Sequence, residues 1–204
     1  MSIMTITHSA DLEQKRFALH LGLAEQGKIH AVENRHQEAL SHYREAMNVA
    51  VKQGAPEVFF RHYLGCSLES LERMGAYREV LDYCEKALAH YEDNPPEHDI
   101  ARLDRATIHQ REGVIAMRLG EVERAKAAFA QALDAARALR TRLPLAERLN
   151  RWLLTNMHID PRRLEQELAQ QEYWTVRPDN IDRGRARSLP EAASSNRPNP
   201  MFRR

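Results

Sequence analysis

The sequence contains few of the residues on which strands, tight turns and membrane spans depend. Only 6% of its 204 residues are aromatic and only 8 are Gly. No segment alternates Val, Ile, Thr and aromatic residues with polar ones, as a half-buried strand does. There is no run of about 18 apolar residues, so we expect no insertion into a membrane. Met1 to Lys15 has no basic stretch followed by an apolar one, so we predict no signal peptide.

The motifs of common catalytic and metal sites are missing as well. The two cysteines, Cys66 and Cys84, lack the spacing of a redox or zinc pair. They fit a cytoplasmic protein in which both are small, buried residues. We find no phosphate-binding glycine loop, no Gly-x-Ser-x-Gly and no His-Glu-x-x-His. We therefore predict a protein that is not an enzyme, has no cofactor and lies in the cytoplasm; a hydrolase or metal enzyme is the weakest alternative.

The ten histidines do not suggest a metal site either. His30, His36 and His42 are six residues apart, and on one helix that interval turns successive side chains by about 120°. A turn predicted at Asn34 separates His30 from the other two. We therefore expect these side chains not to converge on an ion, and we assign no metal ligands.

The residues that are abundant favour helices. Ala, Leu, Glu, Arg and Gln dominate the composition, and each is a good helix former. Gly, Pro and Asn then divide the chain, because they end helices or occupy their first turn. This punctuation predicts an all-α protein with about eight helices, near residues 9–32, 35–53, 56–74, 76–91, 96–120, 121–141, 144–158 and 161–174.

Three of the predicted helices share a small–large–small pattern, with spacings of four and three residues that place its members on one face. The triads are Ala39, Tyr43 and Ala46; Val80, Cys84 and Ala87; and Ala125, Phe129 and Ala132. Twelve residues before each triad stand Gly27, Leu68 and Gly113, and five residues before stand Asn34, Gly75 and Gly120. The two glycines of the first set allow two helices to cross closely, with Leu68 as the exception, and the second set tolerates the positive φ of a tight turn.

This pattern resembles the tetratricopeptide-repeat (TPR) family. The best unit runs from about Ala106 to Leu139, the first from His20 to Gln53, and a degenerate one from Arg61 to about Asn94. The triads start 41 and 45 residues apart, further than the family's period of about 34. The resemblance implies a right-handed α-solenoid of antiparallel helix hairpins, with the seventh helix as a cap. An ordinary helical bundle is the alternative.

The end of the chain has a different composition. Residues 176–204 contain four Pro and seven Arg against three acidic residues, a net charge of +4 that leaves −3 for residues 1–175. We predict a TPR-like domain over 1–175 and a basic, flexible, extended tail over 176–204. With few cations and no interleaved aromatics, the tail does not predict nucleic-acid binding.

The resemblance implies that the first helix of each pair lines a concave groove that binds a peptide or a subunit of a larger complex. The groove residues it implies are Leu21, Ala24, Lys28, His62, Glu69, Arg73, Gln110, Arg111, Val114 and Arg118. Of these, Arg111 and Arg118 would suit an acidic group. We thus expect an adaptor or assembly chaperone whose partner is another protein or peptide.

The alternative function is a self-associating scaffold or regulatory domain, a homo-oligomer that uses its tail. The tail residues that would serve as a linear motif are Arg183, Arg185, Arg187, Met201 and Phe202. The arginines would steer the encounter and the two apolar residues would anchor it. A tail whose only role is to keep the protein in solution is the other alternative.

Overall fold

The computed structural model describes residues 19–155, 157 and 160–189. Within this part the chain forms eight α-helices and one short 3-10 turn, with no strand. The first helix, α1, is helical from residue 19, where the description starts, to residue 32. The others are α2 (His36–Lys52), α3 (Glu57–Arg73), α4 (Tyr77–Asp93), α5 (Asp99–Arg118), α6 (Val122–Ala138), α7 (Pro144–Leu154) and α8 (Pro161–Gln170). The all-helical prediction is confirmed, whereas the handedness of a solenoid stays a prediction.

The chain divides into two compact units. The first unit takes in the chain up to Met74 and the segment that starts at Thr175, and the second unit runs from Gly75 to Trp174. The C-terminal segment thus belongs with α1, α2 and α3. This division differs from the single domain that we predicted up to residue 175.

In the first unit the predicted contact between a glycine and an aromatic ring holds α1 against α2. Ala39, Tyr43 and Ala46 are completely buried. A Cβ atom placed on Gly27 would lie only 2.5 Å from the Cε1 atom of Tyr43, which is too close for any side chain. Any larger residue at position 27 must therefore displace the tyrosine ring, because that ring lies on the backbone of α1.

The second unit repeats this arrangement between α5 and α6. Ala125, Phe129 and Ala132 are fully buried, and a Cβ atom on Gly113 would lie 2.6 Å from the Cε1 atom of Phe129. The pattern that defined the repeats therefore describes a physical contact, made once in each unit. In the degenerate triad Val80 and Cys84 are likewise completely buried.

The predicted turns have the backbone conformation that their residues favour. Asn34, Gly75 and Gly120 have φ values of 59°, 76° and 74°. At the first and third turns the amide of the following residue donates to a carbonyl five residues back, Arg35 to His30 and Glu121 to Ala116, each over 2.8 Å. These bonds satisfy carbonyls that the helix end leaves without a partner.

The helix that we predicted as a cap, α7, packs into the core of the second unit. Leu149 is completely buried, and Trp152 is only 6% exposed. Both belong to one apolar cluster with Phe129 and Ala132 of α6 and with Leu168 of α8. Trp152 is therefore a core residue, as its place on the apolar face of α7 predicts.

The eighth helix is shorter than predicted. It ends at Gln170 instead of near Trp174, because Glu172 adopts a φ of 50° and the Tyr173 amide donates to the Leu168 carbonyl over 2.9 Å. This is a helix stop of the kind that usually contains glycine. The sequence gives no warning of it, since glutamate rarely adopts this conformation.

The first part of the predicted tail makes contacts with the first unit. Residues 175–189 have little regular structure beyond a turn at Pro178–Asn180. They are nevertheless hydrogen-bonded to residues of the first unit, including Glu69 and Gly22. Composition does not indicate these contacts, because it reflects only the apolar surface that a segment can bury, whereas this segment is held largely through its backbone. The rest of the predicted tail, from residue 190, lies outside the described residues.

Two helix glycines of the first unit should respond in opposite ways to alanine. Gly27→Ala must displace the Tyr43 ring, and we expect a loss of about 1–3 kcal/mol in the free energy of unfolding. Gly65→Ala is the matched control, because its Cβ would meet only the Thr175 hydroxyl at 3.8 Å. That substitution should stabilise α3 by about 0.5–1 kcal/mol. Urea denaturation measures both, and equal effects would contradict the packing described here.

Candidate functional site

The first unit contains a groove in which the C-terminal segment lies. We call residues 175–189 the docked segment. We call the residues of α1 and α3 that contact its backbone or lie against it the docking groove: Gly22, Glu25, Lys28, Gly65 and Glu69. All of these contacts fall within the first unit.

The buried carboxylate of Glu69 holds the start of the docked segment. Its Oε2 atom accepts hydrogen bonds from the backbone amides of Thr175, at 2.7 Å, and Val176, at 2.9 Å. Only 5% of the Glu69 residue surface is exposed. Bonds to a charged acceptor are stronger than neutral ones, at about 1.5–3 kcal/mol each. Glu69 is therefore the firmest attachment between α3 and the segment.

An ion pair on α1 holds the middle of the segment. Lys28 Nζ donates to Glu25 Oε1 over 2.9 Å and to the carbonyl oxygen of Asn180 over 3.3 Å. The other oxygen of Glu25 accepts the backbone amide of Asp182 at 2.8 Å. The side chains of both groove residues are mostly buried, at 8% and 13% exposure. The pair therefore presents one donor and one acceptor to a polypeptide backbone.

The last part of the docked segment crosses α1 at Gly22. The Arg187 amide donates to the Gly22 carbonyl over 2.9 Å. A Cβ atom on Gly22 would lie 2.6 Å from Arg187 Cγ and 2.8 Å from the carbonyl oxygen of Arg185. A larger residue at position 22 would push the segment away from α1.

Apolar side chains at the two ends of the segment enter the first unit. Val176 is 7% exposed and packs in a cluster with Ala39, Tyr43 and Cys66. Leu189, which is half-buried, packs against a second cluster that contains Leu23. The residues between them include Pro178, Asp179 and Arg183 to Arg185, which are exposed.

The side chain of Asn180 fixes the bend between the two ends. Its Nδ2 atom donates to the Thr175 carbonyl over 2.7 Å, and its Oδ1 atom accepts the Arg177 amide at 3.1 Å. One amide side chain therefore satisfies a donor and an acceptor of the segment's own backbone. This bend brings the Asn180 carbonyl to Lys28.

The structure distributes the groove residues that we predicted in the first unit among several environments. Lys28 and Glu69 contact the docked segment. Ala24 lies in the apolar core at 2% exposure, and His62 lies half-buried with Nε2 3.9 Å from Cys66 Sγ. The remaining two are Leu21, which is half-buried, and Arg73, which is exposed.

In the second unit the predicted groove residues of α5 contact the C-terminal part of the same unit. Arg118 Nη2 lies 2.5 Å from Glu165 Oε1, and its guanidinium lies over the rings of Tyr77 and Trp174, 5.5 and 5.9 Å from their centroids. Arg111 lies over the ring of Tyr173 at 5.5 Å. The other two are Gln110, which is half-buried, and Val114, which is completely buried. The arginines predicted for an acidic partner thus bind acidic and aromatic residues of this chain.

A pocket of about 430 Å³ lies beside Arg118 in the second unit. Its lining is mostly apolar: Tyr77, Met117, Arg118, Val122, Leu153, Met157, Pro161 and Leu164. The guanidinium that faces it is already paired with Glu165. The lining of this pocket indicates a ligand less specifically than the hydrogen bonds of the docking groove do.

The tail motif is only partly described. Arg183, Arg185 and Arg187 are exposed, and Arg185 Nε lies 3.5 Å from Asp182 Oδ2 within the docked segment. Met201 and Phe202 lie outside the described residues.

Three residues of the docking groove, Gly22, Glu25 and Gly65, were not predicted from the sequence, and neither was Asn180 of the docked segment. A glycine inside a predicted helix can mark a place where another segment of the backbone approaches closely, and Gly22 is such a glycine. Glu25 and Asn180 act on backbone groups of distant residues, and no local pattern marks such a contact.

The turn at Asn34 brings two buried histidines together, where we had expected it to separate them. The ring centroids of His30 and His42 are 4.6 Å apart, and the residues are 8% and 6% exposed. Burial lowers the pKa of His30, and the neighbouring His42 lowers it further. Burial also lowers the pKa of His42, against a hydrogen bond to the Glu38 carbonyl that raises it. In both rings burial therefore favours the neutral form.

Neither a metal centre nor a membrane span occurs in the described part of the chain. Its residues include no group of three or more His, Cys, Asp or Glu side chains placed to hold a metal ion. None of its helices is both long and apolar enough to cross a bilayer.

The role of Glu69 can be tested by amide exchange. Glu69→Gln keeps the size of the side chain but replaces the charged acceptor, so the amides of Thr175 and Val176 should exchange at least about tenfold faster. Hydrogen–deuterium exchange measures this, and Glu45→Gln on α2 is the control. Unchanged protection of both amides would contradict the attachment.

Acid should destabilise the first unit. Burial lowers the pKa values of His20, His30, His36, His42 and His62 below the ordinary 6.5. The unfolded chain therefore binds more protons below pH 6.5, and stability is lost as the pH falls through that value toward the folded pKa values. Each such proton contributes about 1.4 kcal/mol per pH unit to the slope.

Thermal melts between pH 8 and pH 5, followed by amide exchange in α1 and α2, measure this loss. His30→Gln combined with His42→Gln should flatten the pH dependence, whereas the exposed His98→Gln should not. A first unit equally stable at both pH values would show that the buried histidines carry no penalty for protonation.

Comparison of the chain with protein-family models, with curated proteins and with solved structures gives no match. Membership of the TPR family therefore stays a prediction. Any functional inference rests instead on the geometry of the docking groove.

Proposed function

We propose that this protein is a non-catalytic protein-interaction module, an adaptor or assembly chaperone, that binds a non-helical segment of another protein in the docking groove. One observation carries the proposal. The groove already holds a polypeptide, and it does so through four backbone amides and one backbone carbonyl.

This mode of binding suits a foreign segment because every polypeptide presents amides and carbonyls. Glu69 and Glu25 accept amide hydrogens, and Lys28 donates to a carbonyl, so each contact is available to another chain in the same conformation. Each of these hydrogen bonds to a charged group contributes about 1.5–3 kcal/mol. The docked segment is thus held by several separate contacts that a competing segment can replace one at a time.

The docked segment would then act as a competitor within the same chain. A tethered ligand has an effective concentration in the millimolar range, so the intact chain should bind an external segment weakly. A partner gains access when it contributes further contacts or when the docked segment is released. The groove would thus be occupied until a partner arrives.

The second candidate is a scaffold that associates with copies of itself. Every copy carries both the docking groove and the docked segment, so a segment released from one copy fits the groove of another. A homo-oligomer of this type requires no additional partner. We rank it second because the segment already has its groove within its own chain, where tethering favours it.

An opened variant tests the first candidate. Val176→Asp places a charge in the cluster of Ala39, Tyr43 and Cys66 and should release the docked segment while leaving the groove intact. We expect a fluorescent peptide of residues 175–189 to bind this variant at least about tenfold more tightly than the unaltered chain. Fluorescence anisotropy measures both affinities.

Two controls complete this experiment. Val58→Asp alters a valine that is 65% exposed on α3 and should leave affinity as in the unaltered chain. Glu69→Gln added to the opened variant should abolish the gain. Failure of the peptide to bind the opened variant would overturn the proposed function. Light scattering on the unaltered chain tests the second candidate, which predicts a mass that rises with concentration.

A further inference from the structure

The docked segment also indicates which partners the groove selects. We infer that the docking groove recognises a bent segment with an aliphatic residue, an Asn four positions later, and a second aliphatic residue nine positions after that Asn. This inference rests on the proposed function and specifies the partner of the same site. The residues that define the pattern are Val176, Asn180 and Leu189.

The first position is selective because its surroundings are small and closed. The Val176 side chain shares a cluster with Ala39 and Cys66, both completely buried, and with the ring of Tyr43. Tyr43 cannot move toward α1, since its ring already lies on Gly27. An aliphatic side chain of this size fits, whereas an aromatic ring would overpack the cluster and a charge would be buried without a partner.

The second position is selective because it needs both a donor and an acceptor. Asn180 donates to the Thr175 carbonyl and accepts the Arg177 amide. Asp lacks the donor, Ala lacks both groups, and Gln places its amide one carbon further from the backbone. Without this bend the Asn180 carbonyl loses the position in which Lys28 binds it.

The spacing to the last position is fixed by the groove. Between Asn180 and Leu189 the chain is attached to α1 at Glu25, through the Asp182 amide, and at Gly22, through the Arg187 amide. Leu189 then packs on the cluster that contains Leu23. A segment with one residue fewer between these attachments cannot satisfy both and also place its aliphatic side chain on Leu23.

The same attachments define what the pattern excludes. Proline has no amide hydrogen, so it is not accepted at the positions of Thr175, Val176, Asp182 or Arg187. The Asp182 side chain, by contrast, is about half exposed and, among the described residues, contacts only the segment itself, where it pairs with the Arg185 guanidinium and accepts the Arg185 amide at 3.2 Å. The partner is therefore an otherwise unstructured stretch of polypeptide that carries this spacing without proline at those four positions.

A series of synthetic peptides tests this pattern against the opened Val176→Asp variant of the full chain. The parent peptide has residues 175–189. Three altered peptides carry alanine in place of Val176, alanine in place of Asn180, or a deletion of Ala186, and each should bind at least about tenfold more weakly. Alanine in place of the exposed Ser188 is the control and should bind within about threefold of the parent, whereas methylation of the Asp182 amide nitrogen should cost at least about tenfold.

The outcomes separate the two proposals. If the parent peptide does not bind, the proposed function fails and the pattern fails with it. If every peptide binds equally well, the groove is a receptor that does not select, and only the pattern is overturned.

A second measurement applies if the opened variant does not fold. In the unaltered chain, an excess of the parent peptide should displace the docked segment and speed the exchange of the Thr175 and Val176 amides at least about threefold. The peptide with alanine in place of Asn180 should not. Equal acceleration by both peptides, or acceleration by neither, would overturn the inference.

Discussion

The contact between an aromatic ring and a helix glycine is the constraint on which both units depend. Tyr43 lies on Gly27 and Phe129 lies on Gly113, each at a distance that no other residue permits. Small residues on both sides of each ring let the backbones of two helices approach. The ring then fills the space between them with a side chain of large apolar area. In each unit this contact fixes the position of the first helix of the pair, and the remaining helices pack on that framework.

The docking groove is a consequence of this framework in the first unit. Because Tyr43 holds α1 in place, the other side of α1 presents Gly22, Glu25 and Lys28 at regular intervals of three residues. Glu69 on α3 supplies a buried charge, which is stable only when its acceptor capacity is used. The amides of Thr175 and Val176 use it. The docked segment therefore satisfies an electrostatic requirement of the groove as well as covering apolar surface.

The buried histidines connect this groove to the solution pH. His30 and His42 lie at the interface of α1 and α2, and burial lowers their pKa values and so favours the neutral forms. Protonation would place charges between the two helices whose contact positions the groove. A loss of order in α1 would therefore also remove the attachments that α1 provides to the docked segment, Glu25, Lys28 and Gly22 among them.

The sequence by itself determined the helices, the turns and the contact that pairs them. Each of these features is read from residues that lie close together in the sequence. The roles of Gly27 and Asn34 can therefore be assigned from the sequence alone. Tertiary structure decided the course of residues 175–189 and the meeting of His30 with His42. The docked segment is bound to Glu69 through backbone amides, which every residue except proline carries. A sequence pattern cannot record a contact made by groups that nearly all residues share, so only the fold shows that α1, α3 and the docked segment come together.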